Sequence, residues 1–423
     1  MVAGSPARAM AATETTTPVT APAPTTPRVL LDGYPLPFPD VPPTIIDNRT
    51  LVPFRAIAEA LGVSITWHQE THSIDATAAD LGLNVHLAIG QNSMSVNGKP
   101  IELDVPPQIV DSRTLVPLRA FSSAFNVQVG WDQPTRTVSL TSPARQMQML
   151  GFYALGSYAE RQYVANFSDM AYGWSSLTAK GQVDTTSTEY RWPEPDGATT
   201  GDTLLTAAAA SHTRRYLMLF RTDGDNQLTA LVKDSTLSAQ AAANIAAAVQ
   251  AHGFDGVVLD LEGLGLDDKN QPLQGAALQQ VRQGYTRLVT EVAAQLHARG
   301  QRLILALPPL NGAYPGYDYA ALAPQADQLM IMAYDYQKAQ RTDPEPLDRV
   351  DEAIRLALGQ VPAQKLLLGI EVGSDGTYET AATLPQKIGL AKRYGLGGIS
   401  LWRLGVLGAD RMNAINAAAM PLK

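Results

Sequence analysis

From residue 149 onward, short runs of apolar residues alternate with longer stretches whose apolar positions recur at helical spacing. Eight runs read as strands: 149–153, 169–174, 216–220, 256–261, 303–307, 329–334, 366–370 and 398–402. Helices between them include 239–252, rich in Ala and closed by Gly253, and 278–298, closed by Gly300. Strand–helix alternation gives a parallel sheet, and eight such units over residues 149–423 match a (β/α)8 barrel, for which about 250 residues is typical. Function is then expected at the C-terminal ends of the strands.

Upstream the pattern is different, because the chain repeats itself at an offset of 64 residues. Asp47-Asn48-Arg49-Thr50-Leu51-Val52-Pro53-Phe54-Arg55-Ala56 returns as Asp111-Ser112-Arg113-Thr114-Leu115-Val116-Pro117-Leu118-Arg119-Ala120, and a tryptophan, Trp67 or Trp131, follows each eleven residues later. In each copy a turn leads to an apolar strand, and a proline opens a short helix. Alternation through Val63, Ile65 and Trp67, and through Val127, Val129 and Trp131, marks half-buried strands, while Val96-Asn97-Gly98-Lys99 reads as a hairpin turn. The expected fold class is therefore α/β: a TIM barrel over 149–423, preceded by a small α+β domain built from two repeats over 31–142. Before both, residues 1–30 read as a flexible tail, since 10 of the 29 prolines fall in the first 43 residues and a Thr/Pro/Ala tract there offers little to bury.

Composition narrows the partners. With no cysteine among 423 residues, disulfide scaffolds, zinc–thiolate sites and thiol catalysis are excluded. A net charge of -8 supplies no global basic field, so nucleic acid is not expected. No segment approaches the ~20 apolar residues of a membrane span. The first 30 residues hold no apolar run of signal-peptide length, so a complete leader is not expected in this chain. His68 and His72 have a metal-like spacing of four, with His86 nearby. The second copy carries Asp132 and Arg136 at the matching positions, which favours solvated polar residues over a metal site, and no cofactor is expected.

The fourth strand carries the candidate chemistry. Side chains alternate along a strand, so Val258, Asp260 and Glu262 share one face and Val257, Leu259 and Leu261 the other. The aliphatic set belongs against the outer helices, which turns the two carboxylates into the lumen at the mouth. Two carboxyls so placed repel when both are ionised, and burial penalises charge further, so one should hold its proton, with Glu262 expected to be the acid. Elsewhere an Asp-x-Glu pair more often caps a loop or helix. Here Met332, Tyr334 and Tyr336 share a parity at the end of strand six, and Trp402 ends strand eight, so aromatic surface converges on the same rim.

These residues resemble glycoside hydrolase family 18, the chitinases and related wall hydrolases, over essentially all of 149–423. Its signature appears as Asp255-Gly256-Val257-Val258-Leu259-Asp260-Leu261-Glu262, and its Met-x-Tyr-Asp motif as Met332-Ala333-Tyr334-Asp335. The resemblance implies a retaining, substrate-assisted glycosidase. Glu262 would protonate the glycosidic oxygen while the substrate's own 2-acetamido group attacks. Asp260 would orient that group and Tyr334 would hydrogen-bond it. Asp335, Trp402, Tyr153, Tyr336 and Met332 are the expected substrate contacts. Val258 departs from the family, whose chitinases carry Asp there, and Glu371 stands where many carry tyrosine.

Tyr172-Gly173-Trp174, followed by Leu177-Thr178-Ala179-Lys180-Gly181, resembles the spore-germination and cell-wall branch, which implies a peptidoglycan substrate. The two repeats resemble the copper amine oxidase N-terminal-like, or stalk, domain, an accessory module of surface and wall-associated proteins that implies no copper chemistry. A polysaccharide partner and an extracellular or wall-associated setting are thus expected. The alternatives are a chitin or chito-oligosaccharide hydrolase and a non-catalytic carbohydrate-binding surface protein.

Overall fold

A computed structural model describes residues 26–336, 343–373 and 379–423. The expected tail lies outside the described residues up to position 25. Its last residues do not belong to it: Arg28–Leu31 forms a strand that pairs in parallel with Thr137–Thr141, joining the two ends of the N-terminal domain.

Within that domain the repeated strands Arg49–Pro53 and Arg113–Pro117 pair antiparallel, with Val52 opposite Val116. The two copies are thereby related across one shared strand pair. Each strand runs into a seven-residue helix, Phe54–Ala60 or Leu118–Ala124, with the proline at the N-cap rather than inside the first turn. The helices bury Phe54 and Phe121 edge to face, 4.9 Å between centroids, in a common core. The predicted hairpin joins Ser93–Val96 to Lys99–Glu102, with Asn97 and Gly98 at φ 49° and 77°, the paired left-handed conformations that a two-residue turn between twisted strands requires. His68 and His86 flank Asp75 at 2.7 Å each, while His72 stacks on Trp67.

The barrel follows. Its strands are β1 (Arg145–Tyr153), β2 (Asp169–Leu177), β3 (Arg214–Thr222), β4 (Gly256–Glu262), β5 (Arg302–Leu307), β6 (Gln328–Met332), β7 (Leu366–Glu371) and β8 (Gly398–Trp402). All neighbours are parallel, and β1 closes the sheet by pairing with both β2 and β8. Strand alternation divides the apolar residues into two cores. One set fills the lumen, with Phe152, Met218, Val258, Ile304 and Met330 among it. The other, including Val257, Leu259, Leu261, Leu305 and Ile370, packs against the surrounding helices. No helix among the described residues is long and apolar enough to cross a membrane.

The N-terminal domain is fixed to the end of the barrel opposite the mouth. Arg145, the first residue of β1, pairs with Asp80 at 3.0 Å and donates to the Leu61 carbonyl oxygen. On the helix before β8, Leu384–Arg393, the buried Lys392 ammonium donates to the Pro143 carbonyl oxygen at 3.3 Å and lies 3.9 Å from the Asp32 carboxylate. Asp32 in turn accepts from the Ser142 backbone N–H and hydroxyl, at 2.8 and 2.7 Å. Both charged groups are almost wholly withdrawn from water, at 5 % and 6 % side-chain exposure, so removing one leaves the other poorly compensated. Lys392→Ala is expected to lower the unfolding free energy by roughly 3 kcal/mol. Denaturant titration checks this; an unchanged midpoint would mean that the interface carries no such linkage.

Candidate active site

β4 delivers the two acidic side chains where its alternation predicts. Val258 is fully buried in the lumen, Asp260 is 5 % exposed above it, and Glu262 is half-buried at the mouth. The end of the strand is tied down by its backbone. Asp223 N–H donates to the Glu262 carbonyl oxygen at 2.9 Å, and the Tyr317 hydroxyl donates to that of Leu261 at 2.7 Å.

Asp260 and Glu262 are joined by a side-chain hydrogen bond. Burial first, and then the neighbouring Glu262 charge, push the Asp260 carboxyl well above the usual range for an aspartate. Sequence reasoning expects the later residue to keep the proton. In the structure Asp260 sits inside the lumen and Glu262 at its edge, and the deeper carboxyl is raised. A hydrogen-bonded pair of this kind titrates as a unit, so the proton belongs to both carboxyls and is retained where an isolated one would have lost it. Val258 contributes from below. Asp260 Oδ1 makes no hydrogen bond and lies over a floor of hydrocarbon, so the Glu262 side alone satisfies this carboxyl.

Tyr334 completes the group. β6 stops at Met332, and the Tyr334 ring extends over β7, where its Cε1 would lie 3.3 Å from a Cβ on Gly369. Glycine at that place on the inner face leaves room for the phenol. Burial raises the pKa of its hydroxyl well above the ordinary tyrosine value, and the charges of Asp260, Glu262, Glu371 and Asp335 add to this. The phenol therefore stays neutral and able to donate. Met332 is buried in the same lumen cluster, and Trp402 stands half-buried at its edge with Phe152 5.2 Å away. Glu371, opposite Trp402 in the sheet, brings a third carboxylate to this side of the mouth.

Two expected contacts are placed otherwise. Tyr153 has the wrong parity: it packs in the outer core against Tyr172 and Trp174, and Phe152 is the β1 residue in the lumen. Tyr336 leaves the mouth because the strand does not continue to it. The Ala333 and Tyr334 N–H groups bond back to Ile331 and Met332, and the chain turns, so the Tyr336 hydroxyl donates to Asn311 at 2.9 Å while Arg349 covers its ring. Asp335, in the same turn at φ 65°, is exposed beside the site: its backbone N–H donates to Glu345 at 2.7 Å, and its charge acts on the Tyr334 hydroxyl.

Two aromatic residues enter that sequence reasoning missed. Phe220 follows the inner parity of β3 and lies beside Asp260 in register. Tyr190 comes from the loop after β2 and stacks on Phe220, 4.4 Å between centroids and 19° between planes. Burial, and then the nearby Asp260 charge, raise its hydroxyl above the ordinary tyrosine range. Its loop is held by a Trp192 N–H bond to the Thr185 carbonyl oxygen at 2.8 Å, and the Trp192 ring packs on Trp174 and His252. Trp174 therefore acts from the outer core, anchoring the loop that carries Tyr190. A polar cavity of about 220 Å³ opens beside Glu262, lined also by Thr222, Asn226, Asp267, Asn270 and Tyr314.

Residues 203–376 match the family model for glycosyl hydrolases family 18. The match lies within the barrel and takes in Asp260, Glu262 and Tyr334. Residues 30–140 match the copper amine oxidase N-terminal domain. Among curated proteins, the chain is similar to YdhD of Bacillus subtilis (strain 168), named as a sporulation-specific glycosylase, with 26 % identity over 166 residues; the alignment spans 36 % of each protein. Among solved structures, a chitinase from Chromobacterium violaceum ATCC 12472 aligns with a TM-score of 0.52 and 23 % identity over 64 % of this chain and 98 % of that one. The Bacillus cereus spore cortex-lytic enzyme SleL aligns with a TM-score of 0.55 and 17 % identity, over 73 % and 83 %. At these identities the likeness shows the barrel fold alone.

The shared proton has a measurable consequence for stability. The Asp260 carboxyl is raised in the folded state, so between the unfolded value of about 4 and its folded value the native chain binds more protons than the unfolded one. Its contribution to stability therefore falls as pH rises through that window. Asp260→Asn is expected to unfold at higher denaturant than the parent at pH 7, the gain disappearing toward pH 4. A variant equal to or weaker than the parent at pH 7 would contradict the burial argument.

Proposed function

We propose that this chain hydrolyses β-linked N-acetylglucosamine glycans by a retaining, substrate-assisted reaction, with bacterial cell-wall or spore peptidoglycan as its substrate. The observation that carries this reading is the hydrogen-bonded Asp260–Glu262 pair in the barrel mouth beside Tyr334. Glu262 delivers the pair's proton to the glycosidic oxygen, and the bond from that oxygen to the anomeric carbon breaks. The 2-acetamido oxygen of the same sugar forms a bond to that carbon in its place. Asp260, now a carboxylate, accepts the acetamide N–H and balances its positive charge, while Tyr334 donates to the acetamide group. A water then attacks the anomeric carbon from the face the leaving group vacated, the bond from that carbon to the acetamido oxygen breaks and the acetamide re-forms, and the water's proton passes to Glu262, which restores the acid and retains the anomeric configuration.

The setting of the residues supports these roles. The cavity beside Glu262 offers polar space where a leaving sugar would stand, and Trp402 and Met332 offer apolar surface to the sugar whose bond is cut. The name of YdhD, a sporulation-specific glycosylase, favours peptidoglycan over other N-acetylated polymers. An extracellular or wall-associated location follows from that substrate, with the N-terminal domain serving as a wall-directed accessory.

General acid catalysis typically contributes ~10²- to 10⁴-fold, so Glu262→Gln is expected to fold normally and to lose turnover by at least that order. Digests of purified peptidoglycan and of chitin oligomers, with new reducing ends identified by mass spectrometry, are the measurement. Unchanged turnover in Glu262→Gln removes Glu262 from the mechanism, and release from chitin alone overturns the choice of substrate.

A further inference from the structure

The N-terminal domain holds a groove of about 840 Å³ in the size range of ligand sites, and nothing in the reaction above uses it. Ile45, Ile101 and Trp131, three large apolar side chains 39–41 % exposed, line it together. Such a collection in one concave place marks a binding surface more often than chance exposure does.

The internal repeat supplies a comparison within the same molecule. Both repeat tryptophans are fixed in the same way, the indole N–H donating to a glutamine two residues on: Trp67 to Gln69 at 2.9 Å, Trp131 to Gln133 at 2.7 Å. In the first copy the His72 imidazole stacks on the indole, 6.2 Å between centroids and 19° between planes. In the second copy the equivalent residue is Arg136, and the Trp131 ring lines the groove.

The charges of the groove are also arranged for a ligand. Arg49 is engaged with Asp104 at 2.6 Å. Arg119 and Arg136 line the same groove, neither forms an ion pair among the described residues, and the Arg136 Nε is buried with no hydrogen-bond partner. Glu102 also lines the groove, so its three guanidinium groups exceed its two carboxylates by one, in a chain of net charge -8 and beside a held, flat aromatic face. A sugar ring presents a C–H face to such an indole, and carboxylates match the fork of a guanidinium.

We propose that this groove binds the glycan strand of peptidoglycan, with a sugar ring on Trp131 and the carboxylates of the peptide stems on Arg119 and Arg136. The inference rests on the substrate reading given above and deepens it by naming a second site for the same polymer. Because the domain is fixed to the barrel through Arg145 and Lys392, a strand held in the groove keeps the barrel at a high local concentration of further strand.

The test uses the full chain carrying Glu262→Gln, so that the polymer is not consumed, and measures its cosedimentation with purified peptidoglycan sacculi. Adding Trp131→Ala or Arg119→Glu is expected to weaken binding by about tenfold each, and Trp131→Phe, which keeps a flat ring, by less than about threefold. Circular dichroism of each variant verifies the fold, and Arg119→Glu at the surface keeps the test open if Trp131→Ala does not fold. Variants that bind sacculi as the parent does overturn the groove. Binding to chitin beads but not to sacculi overturns the choice of polymer. Failure of the catalytic reading appears separately, as absence of hydrolysis by the unmodified chain.

Discussion

A closed parallel barrel has one dry interior, and a charge placed there must be shared or neutralised. β4 places two carboxyls on the inner face two residues apart, the deeper one against hydrocarbon and the shallower one at the opening. The low-dielectric floor built by Val258, Met218, Ile304 and Met330 keeps a proton in the pair, and the hydrogen bond between the two carboxyls fixes where that proton is available. The placement of Tyr334, Tyr190, Phe220 and Trp402 has meaning only around that proton. The reaction proposed is one that begins by spending it on a leaving oxygen.

The rest of the molecule keeps this arrangement rigid and reachable. The Asp223 backbone N–H and the Tyr317 hydroxyl hold the end of β4, and Gly369 makes space for the phenol of Tyr334. On the outer side of the sheet, Trp174 and Trp192 lock a loop whose Tyr190 reaches over the mouth. The N-terminal domain attaches at the opposite end of the barrel, so it leaves the mouth open while staying fixed to it.

Much of this was legible from alternation alone. Apolar runs of strand length gave all eight barrel strands, and the parity of Val258, Asp260 and Glu262 gave the lumen face, because a strand buried on two sides has only two places for a side chain. Alternation says nothing beyond the end of a strand or where the parity of the inner face is set by closure. It does not reach Tyr336, since the chain turns after Met332, and at β1 the inner position is Phe152, not Tyr153. Tyr190 carried no signal, because a loop residue's direction is set by tertiary contacts that no period encodes. Phe220 did carry one, in the inner parity it shares with Tyr216 and Met218. The repeat was visible as an offset of 64, but the pairing of its two copies through Val52 and Val116, and the contacts of Lys392 and Arg145 across the domain boundary, join positions far apart in the chain.

The account stands on one carboxyl in the barrel being uncharged at neutral pH. Infrared difference spectra of the unliganded chain against Asp260→Asn, recorded at pH 7, read this directly. The account predicts a protonated-carboxyl band in the parent that the substitution abolishes. Spectra that differ only by an ionised carboxylate would show both groups charged in the free protein and would contradict it.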